Sequence, residues 1–191
     1  VRFPFISGLI ISLANDDQLA LWKAELKNKH KHAYSEITLD SVDKFKQKLM
    51  DNNLQELKII FENYGYLWED DLGVEATHAA WLIMQHADSD VPFQTDYLAA
   101  MKKAIDNGKL IQNKKDYAYL YDRVQKNMKK PQLYGTQVSY QITTDEKTNK
   151  QRVKINPYTL EKPETLDQRR REMGLPSWDE YLKMIQQISG F

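Results

Sequence analysis

The sequence predicts a mainly α protein, a bundle-like helical core with one small antiparallel β-hairpin late in the chain. Three observations carry this. Apolar residues recur at helical spacing from about residue 8 to 128. Near residue 136 the period changes to strict alternation, which holds to about residue 156. The length of 191 residues, 41% of them hydrophobic and 28% charged, suits one domain whose core needs no disulfide or metal. That single domain spans 1–191, with a helical core at 8–128, a hairpin at 134–156 and a C-terminal helical segment at 163–190.

The first helix is expected over about 8–29. The run from Phe3 to Ala14 has the look of a secretion-signal ending, with small residues at Ser12 and Ala14. The helical pattern continues through Gln18-Leu19-Ala20-Leu21-Trp22, however, so an amphipathic helix docked on the core is the preferred reading. The basic run Lys27 to Lys31 closes it, with His30 and His32 read as solvated. A second helix starts near Asp40 with cap chemistry at Leu39-Asp40-Ser41-Val42. Val42, Phe45, Leu49, Leu54, Leu57, Ile60 and Phe61 carry it, with a break expected at Asp51-Asn52-Asn53. Gly65 fits the left-handed residue that ends such a helix, and 66–71 reads as a loop.

The third helix, about Val74–Ala87, is apolar nearly all round and should be central and buried. Its remaining face holds Glu75, His78, Leu82, Gln85 and His86, whose polar groups need partners from elsewhere. Val91-Pro92 opens a fourth helix with Phe93, Tyr97, Leu98, Met101 and Ile105 inward, closed by Asn107-Gly108. A fifth, about 114–126, turns Tyr117, Leu120, Tyr121 and Val124 inward, and Pro131 prevents its continuation. Val138, Tyr140 and Ile142 then alternate with polar residues, 145–149 forms a turn, and Val153 and Ile155 alternate again. Pro157 and Pro163 flank a connector. Two short helices finish the chain, Thr165–Glu172 before Gly174, and Ser177 to about Ile188 with Asp179 and Glu180 in its first turn. Trp22, Trp68, Trp81 and Trp178 are read as core.

Composition narrows the function classes. Basic and acidic residues are balanced at 27 each, which argues against a nucleic-acid partner. With no cysteine, thiol catalysis, disulfides and cysteine-ligated metal are excluded. No apolar run approaches the roughly 20 residues of a membrane span, so the reading is a soluble protein, the cytoplasm slightly favoured over export. The oligomeric state is left open. Nucleophile-elbow, His-Glu-x-x-His, phosphate-loop and dinucleotide signatures are missing, and no cofactor is implied. Glu75-x-x-His78 is half of a di-iron motif without its second copy, so no metal is assigned.

Several segments form a recognisable set: Gln85-His86-Ala87-Asp88-x-Asp90 with Phe93-Gln94; Tyr119-Leu120-x-Asp122-Arg123-Val124; Lys130-Pro131-Gln132-x-Tyr134-Gly135-Thr136-Gln137; Leu166-Asp167-x-Arg169-Arg170 with Gly174-Leu175-Pro176 and Glu180-Tyr181-Leu182. Together with Asp17-Gln18 in the first helix, the set resembles a bacterial family of uncharacterised proteins over nearly the whole chain. The resemblance makes Leu9 to Ala14 part of the domain and implies no activity. The chain departs from the pattern in a lysine- and asparagine-rich insert between the fourth and fifth helices, which looks peripheral. Tyr66-Leu67 also stands where a Trp-Pro-like pair is expected.

Two functions fit these residues. In the first, a small cofactor-independent enzyme acts by acid–base chemistry on a polar or anionic small molecule or peptide-like substrate. His86 carries the proton, Asp88 or Asp122 orients it, Arg123 clamps an anion, and Tyr134 and Gln137 position the substrate with Gln85, Gln94 and Arg169. In the second, a non-catalytic helical interaction domain uses the same residues as a structural polar network, with Arg123 or Arg169 in an internal salt bridge to Asp88 or Asp167. An enzyme needs these groups along an open cleft, whereas a network buries them with their bonds made.

Overall fold

The computed structural model describes residues 1–29, 36–144 and 151–188. It is mainly helical, with one two-stranded antiparallel hairpin and short C-terminal helices. His30, His32 and the turn at 145–149 lie outside the described residues. The chain forms two compact units, Val1–Asn113 and Lys114–Phe191.

The first unit comprises α1 (Pro4–Lys29), α2 (Glu36–Tyr64), α3 (Glu69–Leu72), α4 (Val74–His86) and α5 (Val91–Asp106). Helix α1 begins earlier than residue 8, at Pro4, whose fixed φ suits a first turn. Ser7 anchors that turn, its hydroxyl donating to the carbonyls of Phe3 and Leu72, each at 2.9 Å. Ile10, Ala14, Asp17, Ala20 and Ala24 form the buried stripe of α1, so the small residues let its neighbours approach closely. Trp22, expected in the core, is instead 58% exposed, because it lies off that stripe.

Helix α2 starts at Glu36 and runs unbroken through Asp51-Asn52-Asn53. Asparagine weakens a helix mainly when its side chain competes for nearby backbone groups. The Asn53 amide instead donates to α1, to the Leu13 carbonyl at 3.0 Å and to Asp17 at 2.8 Å. Gly65 ends α2 with φ +73° and donates its amide to the Phe61 carbonyl at 2.8 Å, as its position implied. Residues 69–71, expected as loop, form with Leu72 the single turn α3. Glu69 on it accepts from the amides of Ile111, Gln112 and Asn113. This ties down the insert that looked peripheral, whose Leu110 and Asn113 are buried although Ile111 is exposed.

Helix α4 is central, with Ala76, Thr77, Ala79, Ala80, Trp81, Ile83 and Met84 buried. Tyr97 of α5, fully buried, is packed among the rings of Phe61, Tyr66 and Trp68 at 5.6–5.7 Å between centroids. Such ring contacts contribute about 0.5–1.5 kcal/mol each beyond area burial. Asp90 caps α5, its carboxylate accepting from the Phe93 amide at 3.1 Å and from Lys58 Nζ at 2.5 Å. These bonds hold its carboxyl below the usual carboxylate range, the Lys58 bond most strongly. The Asp90→Ala variant is expected to lose about 1–2 kcal/mol, chiefly through the cap, since a half-exposed ion pair adds little. The urea midpoint of the purified chain checks this.

The second unit comprises α6 (Lys114–Asn127), β1 (Val138–Thr144), β2 (Gln151–Pro157), a 3₁₀ turn (Pro163–Thr165), α7 (Leu166–Glu172) and α8 (Trp178–Ile188). The strands pair antiparallel, Val138 opposite Pro157 and Tyr140 opposite Ile155, as the alternation required. Ser177 and Glu180 form a capping box at the start of α8. Asp167 of α7 accepts the Trp178 amide at 2.7 Å, joining the two short helices. Among the described residues no helix is long and apolar enough to cross a membrane.

Candidate functional site

The residues singled out in the sequence fall into two clusters, one in each unit. Gln85, His86, Asp88 and Gln94 belong to the first. Asp122, Arg123, Tyr134, Gln137 and Arg169 belong to the second.

In the first unit His86 is the last residue of α4. Its Nδ1 lies 3.3 Å from Oδ2 of Asp17, whose side chain is fully buried, while the imidazole is 14% exposed. The other Asp17 oxygen accepts from Asn53 Nδ2 at 2.8 Å. Three helices thus converge on one carboxylate. A carboxylate oxygen accepts, so Nδ1 is the ring nitrogen placed to donate to Asp17, and Nε2 is the one that Asp17 does not engage. Among the described residues Nε2 has no hydrogen-bond partner. The carboxylate beside His86 is therefore Asp17, to which the sequence reading gave no role. The signal was there: Asp17 stands at stripe spacing from Ile10 and Ala14, and Asn53 stands among Met50, Leu54 and Leu57. A polar residue in an apolar stripe must be buried with a partner.

The other candidates of the first unit are placed differently. Asp88 is exposed in the turn after α4, and Gln85 is half-buried. Gln94 is fully buried and donates to the Met84 carbonyl at 2.9 Å, securing the end of α4 to α5. Glu75 is exposed, and His78 stacks on Trp81 at 5.0 Å.

In the second unit the candidates surround one turn, residues 132–137. Asp122 of α6 is fully buried and accepts the amides of Leu133 at 2.7 Å, Tyr134 at 3.0 Å and Thr136 at 2.8 Å, with the Thr136 hydroxyl at 3.0 Å. Burial pushes its carboxyl up, and these four donors pull it back. The carbonyls of the same turn are held as completely. Arg169 Nε donates to Leu133 O at 2.8 Å, Arg170 to Tyr134 O at 2.6 Å, and the Tyr181 hydroxyl to Thr136 O at 2.7 Å. Gln132, also fully buried, accepts the Gln137 amide at 2.9 Å and donates to the Gln137 carbonyl at 3.0 Å.

Arg169 also donates to the carbonyls of Glu161 and Lys162 and to Thr165. It therefore staples backbone carbonyls, and Asp167, its expected salt-bridge partner, is engaged with the Trp178 amide. Among the described residues Arg170 is the largest fully buried side chain, lying 4.7 Å from the Tyr181 ring centroid and 5.6 Å from that of Trp178. Burial draws its guanidinium below the ordinary arginine value. Sequence reasoning placed Arg170 in the Leu166-Asp167-x-Arg169-Arg170 motif without a role; its spacing of four from the buried Leu166 on α7 was the signal for its burial. Tyr134 is buried edge-on to Tyr117 and Tyr121, and burial drives its phenol well above the usual range. Gln137 is half-buried, its amide 3.3 Å from the Thr136 hydroxyl, and Arg123 is half-buried on α6.

The motifs of the second unit thus build a clamp in which side chains engage the turn's backbone. The first unit holds an oriented imidazole that reaches solvent. Residues 37–191 match the model of the family of unknown function DUF6624, and the chain belongs to that family. No curated protein and no solved structure matches the chain.

Proposed function

We propose that this protein is a small cofactor-independent enzyme whose proton carrier is His86, acting on a polar or anionic small molecule or peptide-like substrate. One observation carries the reading. A buried carboxylate fixes the His86 ring through Nδ1, and Nε2 is left to exchange a proton with a bound molecule. Asp17 takes the orienting role, and Asn53 holds Asp17 in place. Asp122 and Arg169 instead hold the backbone of the second unit's turn, Tyr134 included.

The test is a panel of chromogenic esters, amides and phosphoesters turned over by wild type, His86→Gln and Asp17→Asn. The expected result is a folded His86→Gln protein with turnover reduced about 10²–10⁴-fold, the usual range for a lost general base. Asp17→Asn should fall between, since it keeps the shape but lets the ring take the wrong tautomer. A His86→Gln protein that loses several kcal/mol of stability, with no wild-type turnover across the panel, would instead make His86 a core staple.

A second reading, a non-catalytic interaction domain, has its own support. Leu19, Trp22 and Leu26 on α1 and Phe45 on α2 are all at least 44% exposed. Leu26 and Phe45 line one groove, and exposed apolar patches mark interaction sites.

A further inference from the structure

The second unit carries a pocket of about 330 Å³ at the C-terminal end of α6, lined by Lys126, Lys129, Lys130, Pro131, Tyr158 and Thr159. No carboxylate lines it, and among the described residues none of the three lysines is paired with one. Residues 114–191 hold fifteen lysines and arginines against ten aspartates and glutamates, although the whole chain is neutral. Lys126 Nζ stands 5.7 Å from the centre of the Tyr158 ring, which is 41% exposed.

The two walls of the pocket are joined by hydrogen bonds within the chain. Gln132 donates its backbone amide to Thr159 O at 2.9 Å and its side chain to Tyr158 O at 2.9 Å, while its own carbonyl accepts from Glu161 at 2.8 Å. The two walls, 126–131 and 158–159, are therefore fastened by one buried residue.

Lysines at a helix C-terminus have an ordinary explanation in the helix dipole, but Lys129 goes beyond it. The bonds from Lys130 N to Gln125 O and from Lys129 N to Lys126 O form a Schellman motif, with Lys129 at its left-handed position, φ +58°. Glycine is the residue that this conformation favours. A lysine there carries a backbone cost that glycine would not, and it places an ammonium group at the pocket.

We infer that this pocket binds the phosphate group of a small phosphate ester, with a planar ring of the ligand stacked on Tyr158. Lys126, Lys129 and Lys130 surround the anion, and the Thr159 hydroxyl can donate to it. The site is independent of His86 and stands whether or not the enzyme reading does.

Adenosine monophosphate and inorganic phosphate are titrated calorimetrically into the full chain, with sodium chloride at matched ionic strength as control. Both phosphates should saturate one site, the nucleotide about tenfold or more tightly through stacking on Tyr158, and Tyr158→Leu should erase that difference. Lys129→Gly should unfold no more readily than wild type yet bind phosphate several-fold more weakly. Lys126→Gln with Lys130→Gln should abolish binding. Three results would overturn the inference: no saturation beyond the chloride control, unchanged affinity in the lysine variants, or a single-stranded oligonucleotide preferred strongly over the mononucleotide with steep salt dependence. The last would make the surface a polyanion track.

Discussion

Asp122→Ala is expected to lose about 3–5 kcal/mol of stability, among the largest effects of any single substitution in this chain. The carboxylate satisfies three backbone amides and one hydroxyl, all within 3.0 Å and all but the part-buried Leu133 amide fully buried. Leaving one buried donor without a partner costs about 1–3 kcal/mol, and some of that is recovered where water enters the space left behind. Asp122→Asn is the sharper variant. It keeps volume and one acceptor but turns an NH₂ group toward amide donors, so it should still lose about 2–4 kcal/mol. Urea unfolding followed by circular dichroism reads both. A catalytic Asp122 predicts the opposite pattern, an Asn variant folded as firmly as wild type. An unchanged midpoint for Asp122→Asn would therefore dismantle the clamp.

The clamp also shows how far the sequence could be read. Helix and strand periods identified the elements well because α1, α2, α4, α5 and α6 are long enough to show a stripe. Helix α3 has a single turn and no period to detect, so it passed for loop. The run Asp51-Asn52-Asn53 signalled a break because its local chemistry favours one. What overrides it is a bond from Asn53 to Asp17, 36 positions away, which no local rule contains.

The same limit governs the sites. Clustered polar motifs singled out Asp122, Tyr134, Gln137 and Arg169, and the bonds that Asp122 and Arg169 make to the turn span 12 and 36 positions, which no local pattern displays. In each case the partner is mainly a backbone group, which every residue carries and no sequence distinguishes. For His86 the reverse holds. Asp88 and Asp90 are adjacent in sequence, yet the α4 terminus directs the ring to Asp17, 69 positions earlier.

Gly135→Ala is expected to lose about 2–4 kcal/mol, and its cost should divide into two measurable parts. The first is conformational. Gly135 has φ +68°, where an L side chain costs about 1–2 kcal/mol. The second is steric. A Cβ at this position would lie 2.8 Å from Cζ3 of Trp178 and 3.3 Å from Cδ2 of Leu160. Overpacking of this kind typically costs 1–3 kcal/mol. Trp178 has little freedom to move, since its amide is fixed to Asp167 and its ring lies against the Arg170 guanidinium. Gly65 isolates the first part, because at φ +73° its Cβ would meet nothing within 4 Å. Gly65→Ala should therefore lose only about 1 kcal/mol. The double variant Gly135→Ala with Trp178→Leu isolates the second. Against a Trp178→Leu background the alanine should cost no more than Gly65→Ala does, a coupling of about 1–3 kcal/mol measurable in a double-mutant cycle. If Gly135→Ala costs the same in both backgrounds, the close approach of Trp178 is not what keeps this residue glycine. The turn would then owe its shape to backbone conformation and the clamp bonds alone.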